Sequence, residues 1–376
     1  MDKHLHIVCM DVPYPADYGG VVDPCHKIRC LHGAGVKIHL HCFEYGRGQS
    51  LELNKYCEEV YYYQRNGILN SMFGITPYIV SSRKNNQLEE RLTKDDYPIL
   101  FEGLHTCHSL NHPLLAKKRK VARMHNIEWM YYDQLAKQEK NIFGKTYYHL
   151  ESLRLKKFEA ILTQTDAILA INLRDSRYFE QYKACHTLYP FHSNVGVSSQ
   201  LGKGDYVLYH GNLSVNENIQ AVFSLLEKVV AKLPLRPFVI AGKEPSPTLA
   251  REIARHKNVR LISNPSQSQL EDLIEKAHIH LLATFQSTGV KLKLLHALFS
   301  GRHCLANSAM TDGLNVLGTC WIEDNLGEWP AFIEQLFEKD FDLPEKERRE
   351  ALFRMHFDNV RNAEKLSHIL FDDKKE

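Results

Sequence analysis

No Gly-x-Gly-x-x-G run occurs in the 376 residues, so a nicotinamide dinucleotide site finds little support. His-Glu-x-x-His and Gly-x-Ser-x-Gly are also missing, which removes the helix-borne zinc hydrolase and the serine nucleophile elbow. Without a run of about 20 apolar residues, nothing reads as a membrane-spanning helix. The N-terminal MDKHLHIVCMDVPYP carries too short an apolar run for a signal peptide. A peripheral contact with a membrane stays open. An excess of one charge is absent too: 47 basic residues meet 45 acidic ones, for a net charge of +2, which argues against a dedicated nucleic-acid binder. The nine cysteines form no Cys-x-x-Cys pair. Those at 9, 42 and 304 fall in strand-like stretches as small buried hydrophobes, and the whole set reads as that of a reducing, cytoplasmic compartment. Asp340-Phe341-Asp342 is the one Asp-x-Asp, and it reads as a solvated boundary between late helices. We find no internal repeat.

What is present is a long alternation of strands and helices. With 44% apolar residues the chain can bury a large core, and its length suits two domains. In the first half, strands are predicted at 5–10, 36–43, 60–63, 99–102, 121–124 and 167–171. Helices are predicted at 21–32, 127–139 and 147–162, the last with Leu150, Leu153, Leu155, Phe158 and Ile161 mostly on one apolar face. Composition changes at HSNVGVSSQLGKGD (192–205), the best linker. The pattern then restarts. Strands are predicted at 206–209, 238–241, 259–262 and 279–283, then near 304–306 and 320–323, with a closing helix over about 346–370. Such alternation predicts an α/β class with mostly parallel sheets, whose ligands bind beyond the carboxyl ends of the strands. The expected division is 1–195, 205–345 and a helix at 346–371.

The stretch Leu281–Leu314 is the most informative. An apolar strand runs into Gln-Ser-Thr-Gly, and a helix follows that is apolar except for Lys291, Lys293 and His296. Thr288, Gly289 and Val290 would open that helix, where free backbone N–H groups suit an anion. Lys293 and His296 are three apart, hence on one face. Charged groups on a helix apolar all round are paired, bound to something or snorkelling to its rim. This layout points to a nucleotide-linked substrate. Other candidates sit just after strands. Gly19 and Gly20 let backbone approach a ligand or simply permit a turn. His125 would take a proton or bond a sugar hydroxyl, with Glu128 as a helix-start carboxylate or its partner. Gly211 and Asn212 would admit and bond a phosphate or base, or form an ordinary loop. Lys243 would meet a diphosphate or lie in solvent.

Several of these segments together resemble the retaining glycosyltransferases of GT-B fold, close to glycosyltransferase family 4 (glycosyl transferases group 1). They are the Gly19–Gly20 loop, HNIEWMYYDQLA (125–136), LYHGNLSVNENIQAVFSLL (208–226), VIAGKEP (239–245) and STGVKLKLLHALFSG (287–301). The resemblance runs over nearly the whole chain and is stronger in the second half. It implies two Rossmann-like domains facing across a cleft, an acceptor domain first and a donor domain second, with the last helix returning to the first domain. It implies a UDP- or GDP-hexose donor, a glycan, lipid-linked or small acceptor, no cofactor and no required metal. The place of action would be the cytoplasm or the inner face of a membrane. His125 would stand at the catalytic centre, with Lys291 and Lys293 stabilising the leaving diphosphate. Gly19, Gly20, Gly211, Asn212, Lys243, Thr288, Gly289, Val290 and His296 would bind the donor. Relatives carry glutamate where this chain has His296, and many carry a second one at Gly289; a basic pair is also missing from HGNLSVNEN. Two other readings therefore stand beside transfer. One is a GT-B protein that binds a sugar nucleotide or partner without transfer, and the other is a non-hydrolysing epimerase.

Overall fold

A computed structural model describes residues 2–67, 74–286 and 289–372. The chain divides into two compact units, Met1–Ser193 with Asn359–Glu376, and Asn194–Asp358.

The first unit is built on strands β1 (Lys3–Cys9), β2 (Val36–Glu44), β3 (Glu59–Gln64), β4 (Ile99–Glu102), β5 (Lys120–Met124), β6 (Ala167–Ala170) and β7 (Cys185–Thr187). They form one sheet in the order β3-β2-β1-β4-β5-β6-β7. Every pairing is parallel. β4 and β6 are buried throughout, as expected of central strands covered on both faces. One face packs Leu5, Ile7, Ile38 and Leu40 against Ala363, Leu366 and Leu370 of the helix Asn359–Phe371. The other packs Val8, Phe43, Phe101 and Met124 against Leu104, Leu155 and Leu162.

The second unit repeats the plan with β8 (Val207–Asn212), β9 (Phe238–Lys243), β10 (Val259–Ser263), β11 (Ile279–Leu282), β12 (His303–Ala306) and β13 (Trp321–Ile322). Their order is β10-β9-β8-β11-β12-β13, again all parallel. In both sheets the order reverses beside the first strand, between β1 and β4 and between β8 and β11. Such switch points are where ligands of open α/β sheets bind.

Local departures from expectation have physical causes. The early helix runs Gly19–Gly33, so both glycines lie inside its first turn rather than in the loop before it. The late helix is two: Leu343–Leu352, N-capped by Asp342, and Asn359–Phe371, on opposite sides of the division between units. Asp342 is thus a cap as well as a solvated residue, since it accepts the Glu345 N–H at 2.9 Å. The helix expected at 147–162 covers Ile142–Phe158, and its Leu150 and Leu153 face solvent, being 48% and 54% exposed. Cys9, Cys42 and Cys304 are buried free thiols.

Candidate functional site

In the first unit, four fully buried charged side chains and a histidine meet at the switch between β1 and β4. Asp23 and Lys27, one turn apart on the helix Gly19–Gly33, bond at 2.9 Å. The Lys27 ammonium also reaches Glu102, the last residue of β4, at 2.5 Å. Arg123, next to the end of β5, grips Asp23 through Nε and Nη2, both at 3.2 Å. Just beyond β5, His125 places Nε2 2.9 Å from Glu102 Oε2 and 4.0 Å from Asp23. In a neutral ring this fixes the proton on Nε2. Burial alone would raise the carboxyl pKa values. For Glu102 the Lys27 charge and the His125 hydrogen bond outweigh it and hold the pKa below the ordinary value. For Asp23 the charges of Arg123 and Lys27 do the same more strongly.

Ligand atoms of Asp23, Glu102 and His125 lie within 4.8 Å of one another, a spacing open to a metal ion. Lys27 and Arg123 already neutralise the two carboxylates, so the donor set is that of an ion-pair network. Glu128 is not the partner of His125. It opens the helix Glu128–Gln138, buried, 3.9 Å from His105. Burial, and then the Glu159 charge, push its pKa up to about 8.

The loop before the Gly19–Gly20 turn is braced from several sides. Tyr18 donates to Asp11 at 2.6 Å, and Arg47 reaches Asp17 at 2.7 Å and stacks over the Tyr18 ring. Arg83 holds the Met10 carbonyl at 2.9 Å.

In the second unit, Gly211, Asn212, Lys291 and Lys293 come together around the start of the helix Asn216–Lys228. Lys293 Nζ donates to Asn218 Oδ1 at 3.1 Å and sits 4.9 Å from the centre of the Tyr209 ring. Lys291 lies 3.7 Å from Glu217, whose carboxylate also accepts from Thr284. Burial lowers the Lys293 pKa to about 8, against the pull of Glu217. The expected helix start is displaced. The helix is Leu292–Ser300, so Gly289 (φ +68°), Val290 and Lys291 form its approach. A φ in that region favours glycine, which explains why this position carries no side chain. Thr288 lies outside the described residues.

Gly211 does not stand open on its Cβ side, where Asn218 would lie 3.2 Å from an added carbon. The Asn212 side chain is spent on a turn, accepting from Ser214 N–H and O–H at 3.0 and 2.8 Å. Lys243 ends β9 beside Asn212 and is exposed. Half-buried His296 is lowered in pKa by burial. It lies within electrostatic reach of His210, a buried histidine of β8 whose two ring nitrogens find no hydrogen-bond partner among the described residues. Buried Arg349 anchors the far end of the helix, donating to the carbonyls of Leu298 at 2.9 Å and Gly301 at 2.7 Å.

Sequence reasoning missed Asp23, Lys27, Glu102 and Arg123, as well as Glu217, Asn218 and His210. The available signal was a charged residue at the end of an apolar strand, as in ILFE (99–102) and VARMH (121–125).

Residues 204–335 match the family model for glycosyl transferases group 1. An uncharacterized 44.6 kDa protein in the cps region of Klebsiella pneumoniae is 28% identical over 328 residues, 82% of this chain and 83% of its own length. The sucrose-phosphate synthase of Thermosynechococcus elongatus superposes with a TM-score of 0.71 at 12% identity, covering 98% of both chains. Anabaena HepE, crystallised with UDP and glucose, gives 0.65 at 11%, covering 99% of this chain and 100% of its own. With two parallel sheets in place, the chain has the GT-B fold and resembles the group 1 glycosyltransferases, a likeness carried most directly by its second unit.

Proposed function

We propose that this protein is a retaining glycosyltransferase that moves a hexose from a UDP- or GDP-sugar to a glycan, lipid-linked or small acceptor in cell-surface polysaccharide assembly. The observation that carries the reading is the convergence of Lys291 and Lys293 at the switch between β8 and β11, inside the stretch that matches the group 1 family. The cps-region relative supports the polysaccharide setting, and the UDP and glucose bound by HepE support the donor class.

The donor diphosphate lies along the approach Gly289–Lys291, where Lys291, Lys293 and the first free N–H groups of the helix Leu292–Ser300 stabilise the charge that gathers on it. The bond from the sugar C1 to the diphosphate oxygen breaks as the acceptor oxygen bonds C1 from the same face. The acceptor proton passes to the leaving phosphate oxygen. His125, held by Glu102, touches the sugar or the acceptor hydroxyl. In the first unit Gly19 stands open on its Cβ side, whereas a carbon added at Gly20 would lie 2.8 Å from the Tyr18 ring. Lys243, Val290 and His296 complete the donor pocket, and Gly211 and Asn212 shape the loop beside it through their contacts with Asn218 and Ser214.

A thermal-shift screen against UDP-, GDP-, ADP- and CMP-sugars tests the reading, because ligand bound to the native state raises its melting temperature. A shift with one nucleotide class, lost in Lys293→Ala, is expected; no shift with any sugar nucleotide at millimolar concentration overturns it. A second reading, binding without transfer, rests on the resemblance, which implies a glutamate where this chain has His296. Under that reading, His296→Glu tightens donor binding and no turnover is found in either protein.

A further inference from the structure

We propose that the hydrogen-bonded chain Arg91–Tyr63–His41–His6–Asp95 is an acid switch, which releases the edge strand β3 and the helix Asn86–Leu92 from the first sheet when a proton enters it. Two neighbouring strands each carry two histidines two residues apart, His4 and His6 on β1 and His39 and His41 on β2. Residues two apart share a face of a sheet, so the four rings stand together. Tyr97 stacks on two of them, 4.4 Å from the His4 ring centre and 5.4 Å from that of His39.

The rings form two rows. In the inner row His6 Nε2 meets the Asp95 carboxylate at 3.1 Å, and His6 Nδ1 meets His41 Nε2 at 2.9 Å. His41 Nδ1 meets the Tyr63 hydroxyl at 2.8 Å, and Arg91 donates to the same oxygen at 3.0 Å. His6, His41 and Tyr63 are buried. The carboxylate end fixes the direction of every proton. Asp95 only accepts, so neutral His6 carries its proton on Nε2 and accepts at Nδ1. His41 therefore donates through Nε2 and accepts the Tyr63 O–H at Nδ1.

An added proton reverses this row. With His6 protonated on both nitrogens, His41 accepts through Nε2 and carries its own proton on Nδ1. The Tyr63 oxygen then receives two donors, His41 and Arg91, and its O–H has no acceptor among the described residues. A proton added to His41 Nδ1 has the same result. A buried donor left without a partner destabilises the folded form. The surrounding charges do not relieve it. Arg91 stands at one end over the Tyr61 ring, and the His39 ring lies 5.2 Å from that of His6. Asp95 is shared with Lys118 and the Tyr97 N–H, and Glu59 is engaged by His39. Burial lowers the His6 pKa below its ordinary 6.5 and that of His41 well below it. The folded state thus refuses protons that the unfolded chain takes up, and stability is lost as pH falls through about 6.5. β3 yields first because it joins the sheet through β2 alone.

The outer row runs the other way. Glu59 lies 2.7 Å from His39 Nδ1 and draws the proton there, so His39 Nε2 accepts from His4 Nδ1 at 2.9 Å. A proton added at His4 Nε2 breaks neither bond, which makes this row an internal control.

Amide hydrogen exchange of the full chain, corrected for the intrinsic rate, tests the switch. Between pH 7.5 and 5.5 the wild type is expected to open Glu59–Gln64 and Asn86–Leu92 about tenfold more for each histidine kept neutral, with β4 to β6 unchanged. His6→Gln with His41→Gln puts non-titrating amides in the inner row and should remove the dependence. His4→Gln with His39→Gln should keep it. Equal protection of β3 at both pH values overturns the proposal on the wild type alone, whether or not the variants fold. Loosening of β4 to β6 by the same factor does so too, because it marks general acid unfolding. A dependence that survives the inner pair of substitutions, or vanishes with the outer pair, also overturns it. No nucleotide or sugar enters the measurement, so it stands or fails separately from the proposed activity.

Discussion

The two units carry their buried charges in opposite ways. In the first, two cations, Lys27 and Arg123, face two carboxylates, Asp23 and Glu102, and His125 is hydrogen-bonded into the same network. The set is complete in itself, and its product is a fixed imidazole. In the second, Lys291 and Lys293 both lie in the field of Glu217, and burial has drawn the Lys293 pKa down to about 8. That arrangement gains when an anion arrives. A compensated network orients a group, whereas a buried lysine of lowered pKa is stabilised in its charged form by an added anion.

The largest expected break in this contrast is Glu102→Ala. It leaves Lys27 buried with half its compensation and should cost about 3–5 kcal/mol, read as a lower denaturant midpoint. Asp23→Ala should behave alike. In the second unit the corresponding change should spare the fold. Lys293→Ala is expected to leave the midpoint nearly unchanged while weakening binding of a nucleoside diphosphate about 10- to 100-fold by calorimetry, the loss of one charge-assisted hydrogen bond. A midpoint that falls as far in Lys293→Ala as in Glu102→Ala would erase the distinction.

Acidity sharpens it further. An anionic phosphate favours protonated Lys293, so diphosphate affinity should fall as pH rises through about 8, with proton uptake on binding near that pH. A further effect, on stability against pH, belongs to Glu128. Its folded pKa is raised from 4.5 to about 8, so the folded state holds an extra proton between those values. The stability this gives is complete below the ordinary carboxyl value and is lost as pH rises through about 8. The Glu128→Gln variant should therefore show a flatter melting temperature against pH over that range than the wild type.

Much of this molecule was legible in its chain. Period and punctuation located most of the parallel strands, because apolar runs bounded by turn residues are what central strands require. His125, Lys291 and Lys293 were singled out as polar groups at strand ends or in an apolar helix. Leu150 and Leu153 were misread for the same reason that made the rest work. Apolar spacing says that a face is apolar, not that the core is what covers it. Glu128 was considered for His125 because it is three residues away, but Glu102, on a neighbouring strand, is the group in reach.

The sequence by itself determined the α/β alternation, the glycine of positive φ before the helix Leu292–Ser300 and the lysines beside it, since each is a matter of local conformation and side-chain chemistry. Only the tertiary structure decided which charges meet. Asp23, Glu102 and Arg123 are scattered along the chain and become neighbours because β4 inserts between β1 and β5. Sheet order is set by packing both faces of the sheet at once, and no local run of residues encodes it.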